Sequence, residues 1–295
     1  MKFKLLTISV TMSAGLLAGL LSTAEARTMI QNKGSDTLVN VAQAWAEAYQ
    51  KIKPDVAVAV TGGGSGTGIA AMINGTVDLA NSSRSMKEKE IGEAKKNGIT
   101  PIEHLVGYDA LAIFVHKDNP MKSITIKQLA DIYGDDGPVT KWSQLGLTVP
   151  GCKNDQIIVV SRQNNSGTYM YFQEAVLGEG KDFRLGTKDM HGSKDVVDLV
   201  EKTPCAIGYS GLAYDSPHVK KPPVAKDDKA TPVEANMENA VSRLYPIARP
   251  LFMYTKGEPA GEVKSYLDWI KTDEGQCIIQ DKGYAPIRTV KCVKK

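Results

Sequence analysis

Val56-Ala57-Val58-Ala59-Val60-Thr61-Gly62-Gly63-Gly64-Ser65-Gly66-Thr67-Gly68-Ile69 passes from a β-branched run, through a glycine-rich loop, into a helical pattern. The first five residues are too short and too β-branched for a helix and are expected to form a buried strand. Beyond the loop, Ile69, Met72 and Ile73 mark one apolar helical face. The same unit precedes it. From Met29 an apolar start leads into Gly34-Ser35-Asp36-Thr37, followed by Leu38, Val41, Trp45, Ala48, Tyr49 and Ile52 at helical spacing and closed by Pro54. A third copy lies past the middle of the chain: strand Gln156 to Val160, polar loop Ser161 to Ser166, and a helix over Gly167 to Val176 carrying Tyr169, Phe172 and Val176. Strands alternating with helices in this way predict an α/β fold with mostly parallel sheets.

Between and after these units the pattern predicts a strand at Ala110 to Val115 and a helix from Ile126 to Tyr133 with Thr125 as its cap. It further predicts a helix over Glu234 to Leu244, extended chain from Tyr245 to Tyr254, and a helix over Glu262 to Ile270. Pro217 to Pro232 reads as a surface excursion. No sequence repeat of fixed period occurs, which excludes solenoids and propellers. Trp45 and Trp269 fall on apolar helical faces as core residues, and Trp142 reads as a loop anchor. With only 6% aromatic residues, nothing suggests a sugar-stacking platform.

Residues 1–26 have Lys2 and Lys4, an apolar run from Leu5 to Leu21, and Ala24-Glu25-Ala26, the layout of a signal peptide cleaved after Ala26. The run is interrupted by Ser, Thr and Gly and falls short of a membrane span. No Cys stands near the cleavage position to carry a lipid. The expectation is export to the periplasm, with about 270 residues left to form one large or two medium domains. Cys152, Cys205, Cys277 and Cys292 are an even count in an exported chain, which favours disulfides, and three pairings are open. One would staple the C-terminal tail through Cys277 and Cys292 and leave Cys152 to Cys205. No C-x-x-C spacing occurs and the four His are scattered, so no metal and no cofactor is expected. A net charge of +3, spread among mixed charges, is no nucleic-acid footprint.

The three loops share one chemistry. Helix N-termini expose N–H groups and a favourable dipole to anions, and small residues let an anion approach the backbone. Thr37, Ser65, Ser166 and Thr168 add hydroxyl donors, and Arg162 and Arg84 add charge in a forked geometry suited to tetrahedral oxygens. Each loop alone is an ordinary cap or turn; the coincidence of three points to a small oxyanion. No Lys follows Gly68 in the manner of a P-loop, and Gly63-Gly64-Ser65-Gly66-Thr67 does not satisfy G-x-S-x-G.

These residues resemble the phosphate-binding components of bacterial ABC importers, the PstS type, within the class II periplasmic binding proteins. The resemblance covers nearly all of the chain after residue 26. It rests on Gly34-Ser35-Asp36-Thr37-Leu38, Gly64-Ser65-Gly66-Thr67-Gly68 and Asp78-Leu79-Ala80-Asn81-Ser82-Ser83-Arg84. Most specific is Arg162-Gln163-Asn164-Asn165-Ser166-Gly167-Thr168, similar to the family's R-x-x-x-S-G-T phosphate loop. Ala206-Ile207-Gly208-Tyr209, Tyr245-Pro246-Ile247-Ala248-Arg249-Pro250-Leu251 and Gly283-Tyr284-Ala285-Pro286 resemble its structural signatures.

The resemblance implies two α/β lobes with a hinge between them, 27–111 plus 249–295 and 112–248, and inorganic phosphate held in the cleft. It assigns Thr37 by hydroxyl and backbone, Leu38 by its N–H, Ser65 as a donor, Arg162 as the charge, and Ser166, Gly167 and Thr168 as the closing side. Ser83 stands where well-known members have an Asp that accepts the phosphate proton, and Arg84 follows it. Asp36 is then either a substitute acceptor or a helix cap, and Arg84 either a ligand or one side of an ion pair between lobes. The implied role is a non-enzymatic, monomeric receptor working with membrane permease subunits. The rivals are a receptor for sulfate, molybdate or a phosphonate, and an exported phosphatase or adhesin on the same fold.

Overall fold

A computed structural model describes residues 27–178 and 180–292; the expected signal peptide lies outside the described residues. In chain order the first elements are β1 (Thr28–Gly34), α1 (Val39–Ile52), β2 (Val56–Thr61), α2 (Ser65–Ile73), β3 (Leu79–Ser82), α3 (Glu88–Lys96) and the long strand β4 (Ile102–His116). The middle holds β5 (Ile124–Thr125), α4 (Ile126–Tyr133), β6 (Ile158–Arg162), α5 (Gly167–Phe172), β7 (Lys188–Met190), α6 (Ser193–Glu201) and β8 (Ala206–Gly211). The chain closes with β9 (Val219–Lys220), β10 (Val224–Ala225), α7 (Met237–Val241), β11 (Ala248–Thr255), α8 (Gly261–Ile270) and α9 (Asp273–Asp281).

One sheet threads the molecule in the order β2-β1-β3-β11-β4-β8-β6-β7, with β9 on β4. β1, β2 and β3 run parallel, as do β6, β7 and β8. The two strands between these groups, β11 and β4, run antiparallel to each other, β11 is antiparallel to β3, and β4 is antiparallel to β8. The mostly parallel expectation thus holds for each flank and fails at the centre. β4 is shared: Ile102 to Ala110 pair with β11, while Leu111 to Val115 pair with β8.

Each flank carries helices on both faces, so strand residues alternate between two apolar cores. In β11, Leu251 and Met253 join α1, α8 and α9, whereas Phe252 and Tyr254 join α2 and α3. In β4, Leu111, Ile113 and Val115 pack with α4 and α5, and Ala112 and Phe114 with α6. This period of two is why a continuous apolar run can be a strand buried on both faces. β2 departs from expectation. Only Val56 is buried, because β2 ends the sheet and pairs with β1 alone.

Thr125 caps α4 as expected: its Oγ1 accepts from the Gln128 N–H at 3.1 Å, and Gln128 Oε1 accepts from the Thr125 N–H at 3.0 Å. The helix expected over Glu234 to Leu244 shrinks to α7. Asn236 Oδ1 caps it late by accepting from the Asn239 N–H at 2.8 Å, and Arg243 ends the turn at φ 55°. α5 is likewise short, passing into a π turn over Gln173–Leu177. The excursion of 217–232 is pinned by β9 and β10, whose Val219, Val224 and Ala225 are buried. Two disulfides, Cys152 to Cys205 and Cys277 to Cys292, fix one pairing of the three. The first ties the loop before β6 to the start of β8, and the second ties the tail to α9.

Candidate functional site

The C-terminal ends of β2, β1 and β3 lie side by side, so the loops that leave them are neighbours; in open α/β sheets such strand ends form the ligand crevice. The loop after β6 meets them from the other flank. Glycine makes this approach possible. At Gly167 a Cβ would stand 2.2 Å from Ser65 Oγ and 2.6 Å from Ser83 Oγ, so any side chain there would displace both hydroxyls. At Gly64, with φ 92°, a Cβ would lie 2.6 Å from the Asn165 carbonyl oxygen.

The result is a buried cluster of hydroxyls. Ser35 Oγ donates to Ser83 Oγ at 3.0 Å, and Ser83 Oγ lies 3.4 Å from Ser65 Oγ, which also accepts from the Ser83 N–H at 3.1 Å. Thr37 Oγ1 and Thr168 Oγ1 are 3.0 Å apart, one from each flank. Ser166 caps α5, its Oγ accepting from the Thr168 and Tyr169 N–H groups at 3.1 and 3.4 Å, so its own hydrogen stays available to donate. Thr37, Ser65, Ser83, Ser166, Gly167 and Thr168 are therefore brought together. Leu38 is beside them, but its N–H is turned to the Ser35 carbonyl at 3.0 Å and its side chain is in the core.

Three buried guanidiniums surround the cluster, and each has a carboxylate. Arg162 donates through Nη2 to Asp36 Oδ2 at 3.0 Å and to the His191 carbonyl at 2.7 Å, and through Nη1 to Ser193 Oγ at 2.9 Å. Burial lowers the Arg162 pKa and Asp36 opposes the shift. Arg84 makes a forked pair with Glu90, at 2.8 Å through Nη1 and 2.7 Å through Nη2. Burial raises the Glu90 carboxyl, but the bonds from Arg84 and the Lys87 N–H outweigh it, leaving the carboxyl below its usual value. Arg249 donates to Asp109 Oδ2 from Nη2 at 2.7 Å and from Nε at 3.1 Å. Burial pushes the Asp109 carboxyl up while Arg249 pulls it down. With every guanidinium matched, directional N–H and O–H donors, not a surplus of charge, are what the cluster offers an anion.

The structure answers one side of each of two alternatives left open by the sequence. Asp36 does not cap α1, which begins after Leu38 with no side-chain cap; its Oδ1 accepts from the Gly63 N–H at 2.8 Å and its Oδ2 takes Arg162. Asp36 is thus the clasp between loops of opposite flanks. Among the described residues Arg84 pairs with Glu90, which belongs to the helix that follows it, and not across the flanks. Further bridges are the Gly66 N–H to the Asn165 carbonyl at 3.0 Å and Tyr214 OH to the Asp36 carbonyl at 2.6 Å. Outside the cluster a cleft of about 730 Å³ opens to solvent, lined by Arg84, Lys87, Met170, Tyr171, Glu174 and Arg249.

The profile of the PBP superfamily domain matches residues 21–274. The phosphate-binding protein PstS of Pseudomonas aeruginosa is 36% identical over 269 residues, covering 88% of this chain and 83% of that one. The chain belongs to the PstS-type family. A phosphate ABC transporter substrate-binding protein of Clostridium perfringens, solved with bound phosphate, superposes with a TM-score of 0.78 at 31% identity, over 88% of this chain and all of that one. An ABC-type phosphate transport receptor of Vibrio cholerae gives 0.69 at 27% identity, over 87% and 99%. The two-lobed class II periplasmic-binding-protein fold of the PstS-type family follows. Sequence reasoning missed Asp109 and the placement of Arg249 in the cluster. The available signal was a charge in each of two nearly continuous apolar strands, which burial permits only in pairs.

Proposed function

We propose that this protein captures inorganic phosphate between lobes 27–111 plus 249–295 and 112–248, and delivers it outside the cytoplasm to the permease subunits of an ABC importer. The observation that carries this reading is the convergence of Thr37, Ser65, Ser83, Ser166 and Thr168 hydroxyls from four loops of both flanks into one buried cluster. A dehydrated oxyanion needs many fixed donors to replace its water, and small residues at helix starts provide them without side-chain bulk. Relatives whose names and titles specify phosphate support the same ligand.

Ligand-binding roles fall to Thr37, Ser65, Ser83, Arg162, Ser166, Gly167 and Thr168, with Leu38 and Arg84 as flanking members of the site. Capture is followed by release to the importer rather than by bond cleavage, and a receptor of this kind acts as a monomer. Secretion through residues 1–26, cleaved after Ala26, places it in the periplasm. Among the described residues no helix is long and apolar enough to cross a membrane.

Ser83 favours one second reading. A hydroxyl that already accepts from Ser35 is a weaker reader of the phosphate proton than a carboxylate, so sulfate, molybdate or a phosphonate is the alternative ligand. Equilibrium dialysis of protein freed of ligand by unfolding and refolding decides between them. Uptake of one radiolabelled phosphate per chain, undiminished by sulfate or molybdate, supports phosphate; no uptake sinks it.

A further inference from the structure

Asp109 and Arg249 are register partners on β4 and β11, the two strands that join the flanks. Both side chains are wholly excluded from solvent. Besides its bonds to Asp109, Arg249 donates through Nη2 to Thr168 Oγ1 at 3.1 Å and to Thr37 Oγ1 at 3.3 Å, and through Nη1 to the Ser83 carbonyl at 3.3 Å. Nη2 has two hydrogens and three acceptors, so with one hydrogen on Asp109 the two threonines share the other. The Tyr171 ring lies under the guanidinium with its centroid 5.7 Å from Cζ, and Tyr171 OH donates to the Ala248 carbonyl. One cation thus touches both flanks from the strands between them.

We propose that Arg249, anchored by Asp109, is the positioning residue of the anion site, fixing the Thr37 and Thr168 hydroxyls as donors to the ligand. This role rests on the phosphate reading. A hydroxyl oxygen that accepts from a guanidinium keeps its hydrogen for another acceptor and becomes a stronger donor. Thr37 comes from the loop after β1 and Thr168 from α5, so Arg249 reaches both only when the flanks are together. Asp109 neutralises the arginine, and the pair orients without adding net charge. Its place at the junction lets it act on closure as well as on the ligand.

The test is a mutant cycle read by phosphate titration of wild type, Arg249→Gln, Thr168→Val, the double variant and Arg249→Lys, with the unfolding midpoint of each ligand-free protein measured alongside. Each single change is expected to weaken phosphate binding by about 10- to 100-fold, and the double by no more than about threefold beyond the weaker single, because both remove one unit. Arg249→Lys, which keeps a cation beside Asp109, is expected to recover part of the loss. Multiplying losses in the double variant, or wild-type affinity in Arg249→Gln, overturns the positioning role. Should Arg249→Gln not fold, the cycle run with Arg249→Lys carries the same two outcomes. Phosphate binding absent from the wild type itself removes the phosphate reading, and with it this role.

Discussion

Arg162, to which the proposed function gives a ligand-binding role, is by its surroundings also a clasp between the flanks. Its guanidinium joins Asp36, His191 and Ser193, so truncation strips donors from the site and leaves the Asp36 carboxylate without its cation. Arg162→Ala is expected to weaken phosphate binding by more than about 100-fold and to cost about 1–3 kcal/mol of stability from the orphaned bonds. Isothermal titration and urea unfolding measure the two effects. A variant that still binds as tightly as wild type removes Arg162 from the site. Its importance was legible in the sequence because Arg162 to Thr168 is one contiguous loop. The Asp109–Arg249 pair was not: the partners are 140 residues apart, and only strand pairing brings them together.

Among the elements, β4 and β11 carry consequences beyond the site. His104, on β4, is buried with Nε2 2.9 Å from Thr255 Oγ1 on β11. Burial lowers its pKa below the usual histidine value of 6.5. The unfolded chain then binds more protons than the folded one once pH drops below that value, so this contribution to stability is complete above about pH 6.5 and is lost as pH falls through the folded pKa. Unfolding midpoints of wild type and His104→Gln at pH 7.5 and 5.5 should show a larger acid-induced drop in the wild type; equal drops contradict the assignment. The disulfide from Cys152 to Cys205 closes a separation of 53 residues between β6 and β8 surroundings. Replacing both cysteines by Ser is expected to destabilise the protein by about 2–4 kcal/mol in denaturant titration, while phosphate affinity stays within about twofold. At this scale the units around β1, β2 and β6 were legible because local chemistry sets each one: a β-branched run, a glycine or serine turn, a helical stripe. The first half of β4 and the true length of α7 were not, since one is set by pairing with β11 and the other by a cap at Asn236.

For the whole molecule, the flanks meet through the site itself, so closure and binding are one event: an anion that touches both stabilises the closed form by differential contact. Gly167 separates the two contributions. In a form with the flanks apart, Gly167→Ala adds helix propensity and reduces unfolded-chain entropy, worth about 0.4–1 kcal/mol in favour of the fold. With the flanks together, its Cβ collides with Ser65 and Ser83. The expected outcome is an unfolding midpoint equal to or above wild type without ligand, and phosphate affinity reduced by more than about 100-fold, corresponding to a clash of roughly 3 kcal/mol. A parallel fall of both quantities contradicts closure at this point.

The most direct test of the central claim is calorimetric titration of the ligand-free protein, residues 27–295, with phosphate, repeated in excess sulfate and from pH 5 to 9. A single tight phosphate site that sulfate leaves untouched is the result the account predicts. Equal competition by sulfate, or no heat of phosphate binding at all, contradicts it and reassigns the hydroxyl cluster to another oxyanion.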